Sequence, residues 1–476
     1  MHCKSTRLLI VFLLAVWFEA PISFCADHTV TVNPHSILVK DFQGWGCSLC
    51  WWANITGAYS NRNEYADLAF TQLKLNIVRY NIGGGEDPKA PSRIFNERAV
   101  MQGFEPKKGV WDWNADQNQR WMLRKAISLG ANLVVAFANS PPWWMTINGS
   151  VVGGEGGISN LRPDAEREFA DYLATVVSKL TVRDVVHFDF VTPINEPTGA
   201  WDLDKGKQEG CHMDPAQQSR LLNDLQSALA AHGMGSGLDA PEDFSEQDSV
   251  KDLKIYKGGT PPNIALITTH TYKADNPRGL KRMARSLGRP LWVSEYGDRD
   301  ASGMRMARRI HDDITKMGVR AWVYWQLVDS ASGWGFLYNP LTTNADGFTT
   351  QYVINKKFYV MGQFSKFIRP GCNIISVSDT NTLAAFNPSD EKLTLVTVNS
   401  SDASIKITYN LSRFETNDSH VAIYRTSVDE NLCPLPEIPL VKGRLSSIIP
   451  AKSVTTFAIS PANFQNSHSQ EQIQEK

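Results

Sequence analysis

Two glutamates stand where apolar runs stop. "VVHFDFVTPINEP" closes on Asn195, Glu196 and Pro197, and "RPLWVSEYG" closes on Glu295. A single carboxylate at a strand end has a bland explanation, the entry into a polar loop. Two of them suggest chemistry if the fold brings them face to face. Carboxylates facing each other across a cleft are what glycoside hydrolysis requires: one protonates the leaving oxygen, and the other attacks the anomeric carbon or activates water. Neighbouring apolar runs end in further polar or aromatic groups. These are Arg79 and Asn81 in "VRYNIGGG", His270 and Tyr272 in "LITTHTY", and Trp325 and Gln326 in "WVYWQ". Trp51 and Trp52 follow "GWGCSLC", and "NSPPWW" carries Trp143 and Trp144. Singly, Arg79 suits an ion pair, His270 a satisfied core histidine, and the tryptophans packing under long loops. Only convergence on one face makes them a substrate site.

Other chemistries lack their residues. No His-Glu-x-x-His and no close His/Asp cluster occurs, so a metal centre is not expected. No Gly-x-Ser-x-Gly sits on a strand-to-helix turn, which removes the serine triad. "CSLC" (47–50) has no second half-site to complete a zinc centre.

The elements that must position these residues alternate. From about 46 to 358 the chain repeats an amphipathic helix, a glycine or asparagine, and a short apolar strand, as in "RKAISLGANLVVAFANSPP", "MARSLGRPLWVSEYG" and "DITKMGVRAWVYWQ". Gly130, Gly288 and Gly318 suit helix C-caps. The helix from Pro163 has Asp164 and Glu166 in its first turn and an apolar face of Phe169, Leu173, Val176, Val177 and Leu180. Strands are expected near 42–49, 76–82, 132–138, 186–194, 235–240, 264–270, 290–295 and 320–326. Such alternation means parallel strands with crossover helices. Eight units suit a closed (β/α)8 barrel, whose active sites lie at the C-terminal ends of the strands. A doubly wound open sheet is the other reading, but no Gly-x-Gly-x-x-Gly follows the first strand. The 99 positions from Glu196 to Glu295 equal three units of about 33 residues, which places them on strands four and seven, across the barrel mouth.

After about 360 the pattern changes to period two, in "KLTLVTVN", "SIKITYNL", "HVAIYRT" and "SVTTFAIS". This reads as an antiparallel β-sandwich. "HTVTVNPHSILV" (28–39) has the same character and is expected to join it. The division is then a signal segment (1–25), sandwich strands at 26–43, a barrel at 44–358, the rest of the sandwich at 359–461 and a disordered tail at 462–476.

The 476-residue chain has a formal net charge of -1, which disfavours a nucleic-acid partner or an electrostatic hold on acidic membranes. Its 14 tryptophans fit a sugar-binding surface as well as a core. Lys4 and Arg7 precede the apolar "LLIVFLLAVWF", and a cut is expected after Cys25, so the protein reads as secreted. No later run is long and apolar enough for integral membrane association. Export fits the sequons at Asn54, Asn148, Asn399, Asn410 and Asn417. Five cysteines remain after cleavage: Cys47, Cys50, Cys211, Cys372 and Cys433. Cys372 and Cys433 share the β domain and are the expected disulfide.

"GWGCSLCWWA", "RYNIGGG", "NSPPWWM", "NEP", "WVSEYGD" and "WVYWQ", in that order, resemble glycoside hydrolase family 30. "GVWDWNADQNQRWML" (109–123) is similar to its endo-β-1,6-galactanase-like branch. Cys47 and Cys50 depart from the small residues expected there. The resemblance implies a (β/α)8 barrel with an attached β-sandwich, retaining chemistry, no cofactor and an oligo- or polysaccharide as substrate. It makes Glu196 the acid/base and Glu295 the nucleophile, with Asn195 on the sugar 2-hydroxyl. Glu196 must then carry a proton at working pH, while Arg79 and Tyr272 keep Glu295 ionised. The implied substrate is β-1,6-galactan, as in side chains of arabinogalactan-type glycans of a cell wall or apoplast-like space. A β-1,6-glucanase, a glucosylceramidase-like enzyme, a xylan-cleaving relative, and a carbohydrate-binding protein with vestigial catalysis remain open.

Overall fold

The computed structural model describes residues 25–460 apart from 260, 261, 342, 345, 346, 349, 350 and 415. The expected signal segment, save Cys25, and the expected tail lie outside these residues.

Eight parallel strands close a barrel: β2 (Gly44–Ser48), β3 (Ile77–Asn81), β4 (Leu133–Phe137), β5 (Phe190–Thr192), β6 (Gly237–Ser245), β7 (Ile264–Lys273), β8 (Leu291–Tyr296) and β9 (Ala321–Gln326). Closure is made by β2 against β9, with Trp45 opposite Trp322. The lumen is packed rather than open. Ile77, Val135, Leu266, Trp292, Ala321 and Val323 form one buried cluster inside it, and the Trp292 ring meets Phe190 edge-on at 5.5 Å. The indole nitrogen of Trp292 donates to Gln43 Oε1 at 2.7 Å, so the large side chain leaves no polar atom stranded.

The helices follow from their sequence period. Phe169, Leu173, Val176, Val177 and Leu180 are all buried on the helix Glu166–Arg183, each worth about 1.5–3 kcal/mol of burial for a large aliphatic or aromatic side chain. Gly288 (φ 63°) and Gly318 (φ 80°) end their helices in the left-handed region, where a side chain would be strained.

β1 (Cys25–Val39) precedes the barrel but belongs to a second sheet. Its other strands are β10 (Asn373–Val377), β11 (Thr382–Asn387), β12 (Lys392–Asn399), β13 (Ile405–Asn410), β14 (Ser419–Thr426), β15 (Cys433–Val441), β16 (Arg444–Ile449) and β17 (Ser453–Ile459). The order β1–β10–β11–β12–β17–β14–β15–β16–β13 closes on itself, so the two faces expected of a sandwich are one continuous nine-stranded sheet. The β1–β13 pairing is parallel, whereas β1 runs antiparallel to β10 on its other edge. The helix Lys356–Ser365 joins the two domains and packs on β14 and β17.

Two expectations fail here. Cys372 and Cys433 are both free thiols. Cys372 precedes β10 and Cys433 opens β15, and at least three strands separate those two strands in either direction round the sheet. Strands about 4.8 Å apart put such cysteines far beyond the Cα separation of about 4.4–6.8 Å that a bridge needs. Asn399 is 3 % exposed, and its amide donates to Ala403 O, Ile449 O and Pro450 O, so it is no glycan acceptor in the folded chain. Asn54, Asn148 and Asn410 are half-buried, and Asn417 is exposed.

Candidate active site

The strand ends converge on a cleft of about 390 Å³, walled by Trp51, Trp325, Trp334 and Tyr272, with Asn195, Glu196 and Glu295 opening into it. Arg79, on β3, organises its floor. Nη1 donates to Glu295 Oε2 at 2.7 Å and to Ser48 Oγ at 3.0 Å. Nη2 donates to Glu242 Oε2 at 2.9 Å and to Asn195 Oδ1 at 3.2 Å. The Phe137 ring lies 4.1 Å from the guanidinium carbon, so the cation is packed as well as paired. Burial works against the Arg79 charge, but Glu242 and Glu295 raise its pKa overall.

Glu295 ends β8 and receives a donor on each oxygen: Arg79 on Oε2, and the Tyr272 hydroxyl on Oε1 at 2.8 Å. Burial first, then the Glu295 charge, pushes the Tyr272 phenol well up, so it stays a donor. Glu196 stands opposite. Its backbone is left-handed (φ 46°), a costly conformation for a residue with a side chain. The turn holds because Gly199 N and Trp201 Nε1 both donate to Glu196 O, at 2.9 and 2.8 Å. Asn195 N continues the β-ladder to Ala138 O, which fixes where the turn begins.

His270, on β7, is fully buried between carboxylates. Nδ1 lies 3.0 Å from Glu196 Oε1, and Nε2 lies 3.0 Å from Glu242 Oε2. Burial disfavours its charge, but Glu295, Glu196 and Glu242 together raise its pKa to about 10. A carboxylate oxygen of Glu196, one of Glu295 and a ring nitrogen of His270 lie within 4.8 Å of one another. Such a trio could ligate a metal ion, yet a cation there would compete with Arg79 and the imidazolium for the same oxygens.

The structure sorts the sequence candidates. Trp51 and Trp325 line the cleft, edge to face at 5.1 Å. Trp52 does not: it is wholly buried, and its indole donates to Ser48 O at 2.8 Å. Trp143 and Trp144 are half-buried behind the wall, their indoles donating to Pro106 O and Glu105 O. Asn81 is buried below the cleft, where its side-chain oxygen accepts from Asn139. Each of these four has a backbone or amide hydrogen-bond partner, and none lines the cleft. Sequence reasoning missed Glu242, and also the Arg98–Asp329 pair (2.6 Å), Phe244, Arg299 and Trp334 at the cleft. Arg299 and Trp334 lie in loops without period, Arg98 and Asp329 lie in elements of two or three residues, and Glu242 and Phe244 lie in a strand that reads as a turn.

A (β/α)8 barrel with two carboxylates this close at its mouth, one of them held by a cation and a phenol, defines a glycoside hydrolase of the two-carboxylate kind. Residues 29–249 match the profile described as O-Glycosyl hydrolase family 30. The chain is 31% identical over 468 residues to the endo-beta-1,6-galactanase of Hypocrea rufa, an alignment covering 91% of this chain and 95% of the relative. It belongs to glycoside hydrolase family 30. In solved structures its fold is similar to a conserved exported protein from Bacteroides fragilis (TM-score 0.78, 21% identity, 91% of this chain and 100% of that one). It is also similar to the family 30 subfamily 8 xylanase Xyn30A of Clostridium acetobutylicum (TM-score 0.69, 23% identity, 91% and 99%).

Proposed function

We propose that the protein is an exported enzyme that cleaves β-1,6-linked galactan, as in side chains of arabinogalactan-type glycans, with retention of configuration. The observation that carries the mechanism is the approach of Glu196 and Glu295, whose nearest oxygens lie within 4.8 Å. Retaining pairs stand about 5–5.5 Å apart, whereas inverting pairs need about 6.5–9.5 Å to admit a water. Glu295 attacks the anomeric carbon as Glu196 passes its proton to the departing glycosidic oxygen. A water then enters, gives its proton to Glu196 and releases the sugar from Glu295. Arg79 and Tyr272 keep Glu295 an anion before attack. Asn195, turned by Arg79, offers its amide to the sugar 2-hydroxyl. Trp51, Trp325 and Trp334 offer rings to pyranose faces.

The galactan reading rests on the Hypocrea rufa relative, and export on the N-terminal segment. No helix among the described residues is long and apolar enough to cross a membrane. The test is turnover of purified protein on β-1,6-galacto-oligosaccharides beside β-1,6-glucan, glucuronoxylan and glucosylceramide. The galactan series should be hydrolysed with the highest kcat/KM. A higher value on any other substrate would reassign the specificity, and binding without turnover on all four would make the protein a carbohydrate-binding one.

A further inference from the structure

The reaction as described leaves one buried carboxylate unused. Glu242 is completely buried in β6, with a left-handed backbone (φ 63°). Its Oε2 receives Arg79 Nη2 at 2.9 Å and faces His270 Nε2 at 3.0 Å. Its backbone oxygen accepts from Glu196 N at 2.9 Å. One residue therefore touches the cation beneath Glu295, the imidazole beside Glu196 and the main chain of Glu196 itself. A buried anion on a left-handed backbone is costly to maintain, and such costs cluster at functional sites.

We propose that Glu242 is a positioning residue, a permanent buried anion that keeps His270 an imidazolium and so holds the Glu196 carboxyl in place through both halves of the reaction. This rests on the roles of Glu196 and Glu295 given above. The charges balance on that basis. Before attack, Arg79 and His270 are cations, Glu295 and Glu242 are anions, and Glu196 carries a proton; the sum is zero. After attack Glu295 is an uncharged ester and Glu196 an anion, because its proton has left with the aglycone. The sum is again zero, since Glu242 stays ionised throughout. Without Glu242 both states would carry a net positive charge in a buried site, or His270 would lose its proton. The Arg79 charge and the His270 hydrogen bond offset the burial of Glu242 and hold its pKa at about 2, well below that of an ordinary glutamate.

The groups facing this pair come from every side. Arg79 reaches it from β3, Glu196 from the turn after β5, and Asp239 and Asp243 from β6 itself. Tyr272 on β7 meets the His270 ring at 5.9 Å, and Glu295 on β8 stands 3.8 Å from Nδ1. Burial raises Asp239 and Asp243 well above the carboxylate range, so they are neutral and do not supply the counter-charge. Glu196 alternates between acid and anion, and Glu295, 3.8 Å from Nδ1, loses its charge when the ester forms. Glu242 is the constant charge on Nε2.

Histidine-selective nitrogen-15 NMR of the whole protein at pH 8 tests this. In the native enzyme and in Glu196→Gln, both His270 ring nitrogens should show the imidazolium shift, because Glu242 remains. In Glu242→Gln, where Glu295 at 3.8 Å from Nδ1 is the remaining anion, the ring should lose its proton at lower pH than in the native enzyme, and the alkaline limb of the kcat/KM profile should move to lower pH by a unit or more. A neutral ring in Glu196→Gln would overturn the proposal and make Glu196 the counter-ion; that arm needs no buried substitution. An unchanged imidazolium in Glu242→Gln, with activity lost equally at all pH, would reduce Glu242 to a structural part. Neither spectrum depends on which glycan the enzyme cleaves.

Discussion

The roles proposed for Glu196 and Glu295 differ, so their removal should do different damage. Glu295→Ala leaves nothing to form the glycosyl-enzyme. A small anion such as azide should enter the vacated space and restore part of the turnover, giving a product of inverted configuration by NMR. Glu196→Ala should lower kcat/KM on natural glycans by about 10²–10⁴, the usual worth of general acid catalysis. An aryl glycoside with a good leaving group needs little protonation, so its glycosylation step should suffer far less. The tryptophans divide similarly. Trp334, half-buried at the cleft, should tolerate Ala with its fold intact while binding weakens by about 1–3 kcal/mol, on the scale of aromatic stacking against bases. Trp52→Ala empties a core site and should cost about 3–5 kcal/mol in denaturant unfolding. "CWWA" gave both tryptophans the same reading, because sequence fixes neighbours and not the direction of a side chain after a strand end. Glu196 and Glu295 were legible because each closes an apolar run on a strand whose place in the barrel can be counted.

β6 shows why part of the site stayed hidden at the scale of elements. "GLDAPEDFS" holds an Asp, a Pro, a Glu and another Asp, the composition of a turn. It is a strand because its acids have partners. Thr192 binds Asp239, Arg79 binds Glu242, and Thr198 donates to Asp243 at 2.6 Å. The hydrophobic period that revealed the other strands is absent where a barrel strand turns polar groups inward. The joining helix Lys356–Ser365 carries a second device of this kind. Lys357 is buried, and Nζ donates to Asp298 O at 2.9 Å, to Asp298 Oδ1 at 3.1 Å and to the Tyr324 hydroxyl at 2.7 Å. It ties that helix to the loop after the Glu295 strand. Lys357→Met should cost about 3–5 kcal/mol, because Asp298 is left buried without its cation. Unfolding in urea would measure the loss, and activity should fall with it as the Glu295 strand end loosens.

The whole molecule buries many acids, and they set its response to pH. Burial raises Asp116 and Asp252 to about 7, Glu246 to about 7 and Glu209 to about 8. Each folded carboxyl binds its proton more tightly than the unfolded one, which titrates near 4. The stability they add is therefore complete below pH 4 and is lost as pH rises through 7–8. His270, raised to about 10, adds stability that fades as pH climbs from 6.5 through 10. Glu242, depressed to about 2, works the other way: its contribution is full above pH 4 and is lost as pH falls toward 2. Together these give a Tm that is highest in mildly acidic solution and declines toward pH 8. Thermal unfolding from pH 3 to 9 checks this, and a flat profile across pH 5–8 would contradict it. At this scale the barrel and the two-ended β domain were legible from their periods. The closing of the second sheet and the free thiols were not, since strand order in a β domain has no local signal.

The anomer formed first decides the central claim. A β-1,6-galacto-oligosaccharide is hydrolysed by the native enzyme in an NMR tube, and the new reducing end is followed before mutarotation mixes it. Retention through a Glu295 ester predicts the β-anomer. A first-formed α-anomer would contradict it and make Glu295 a base that activates water.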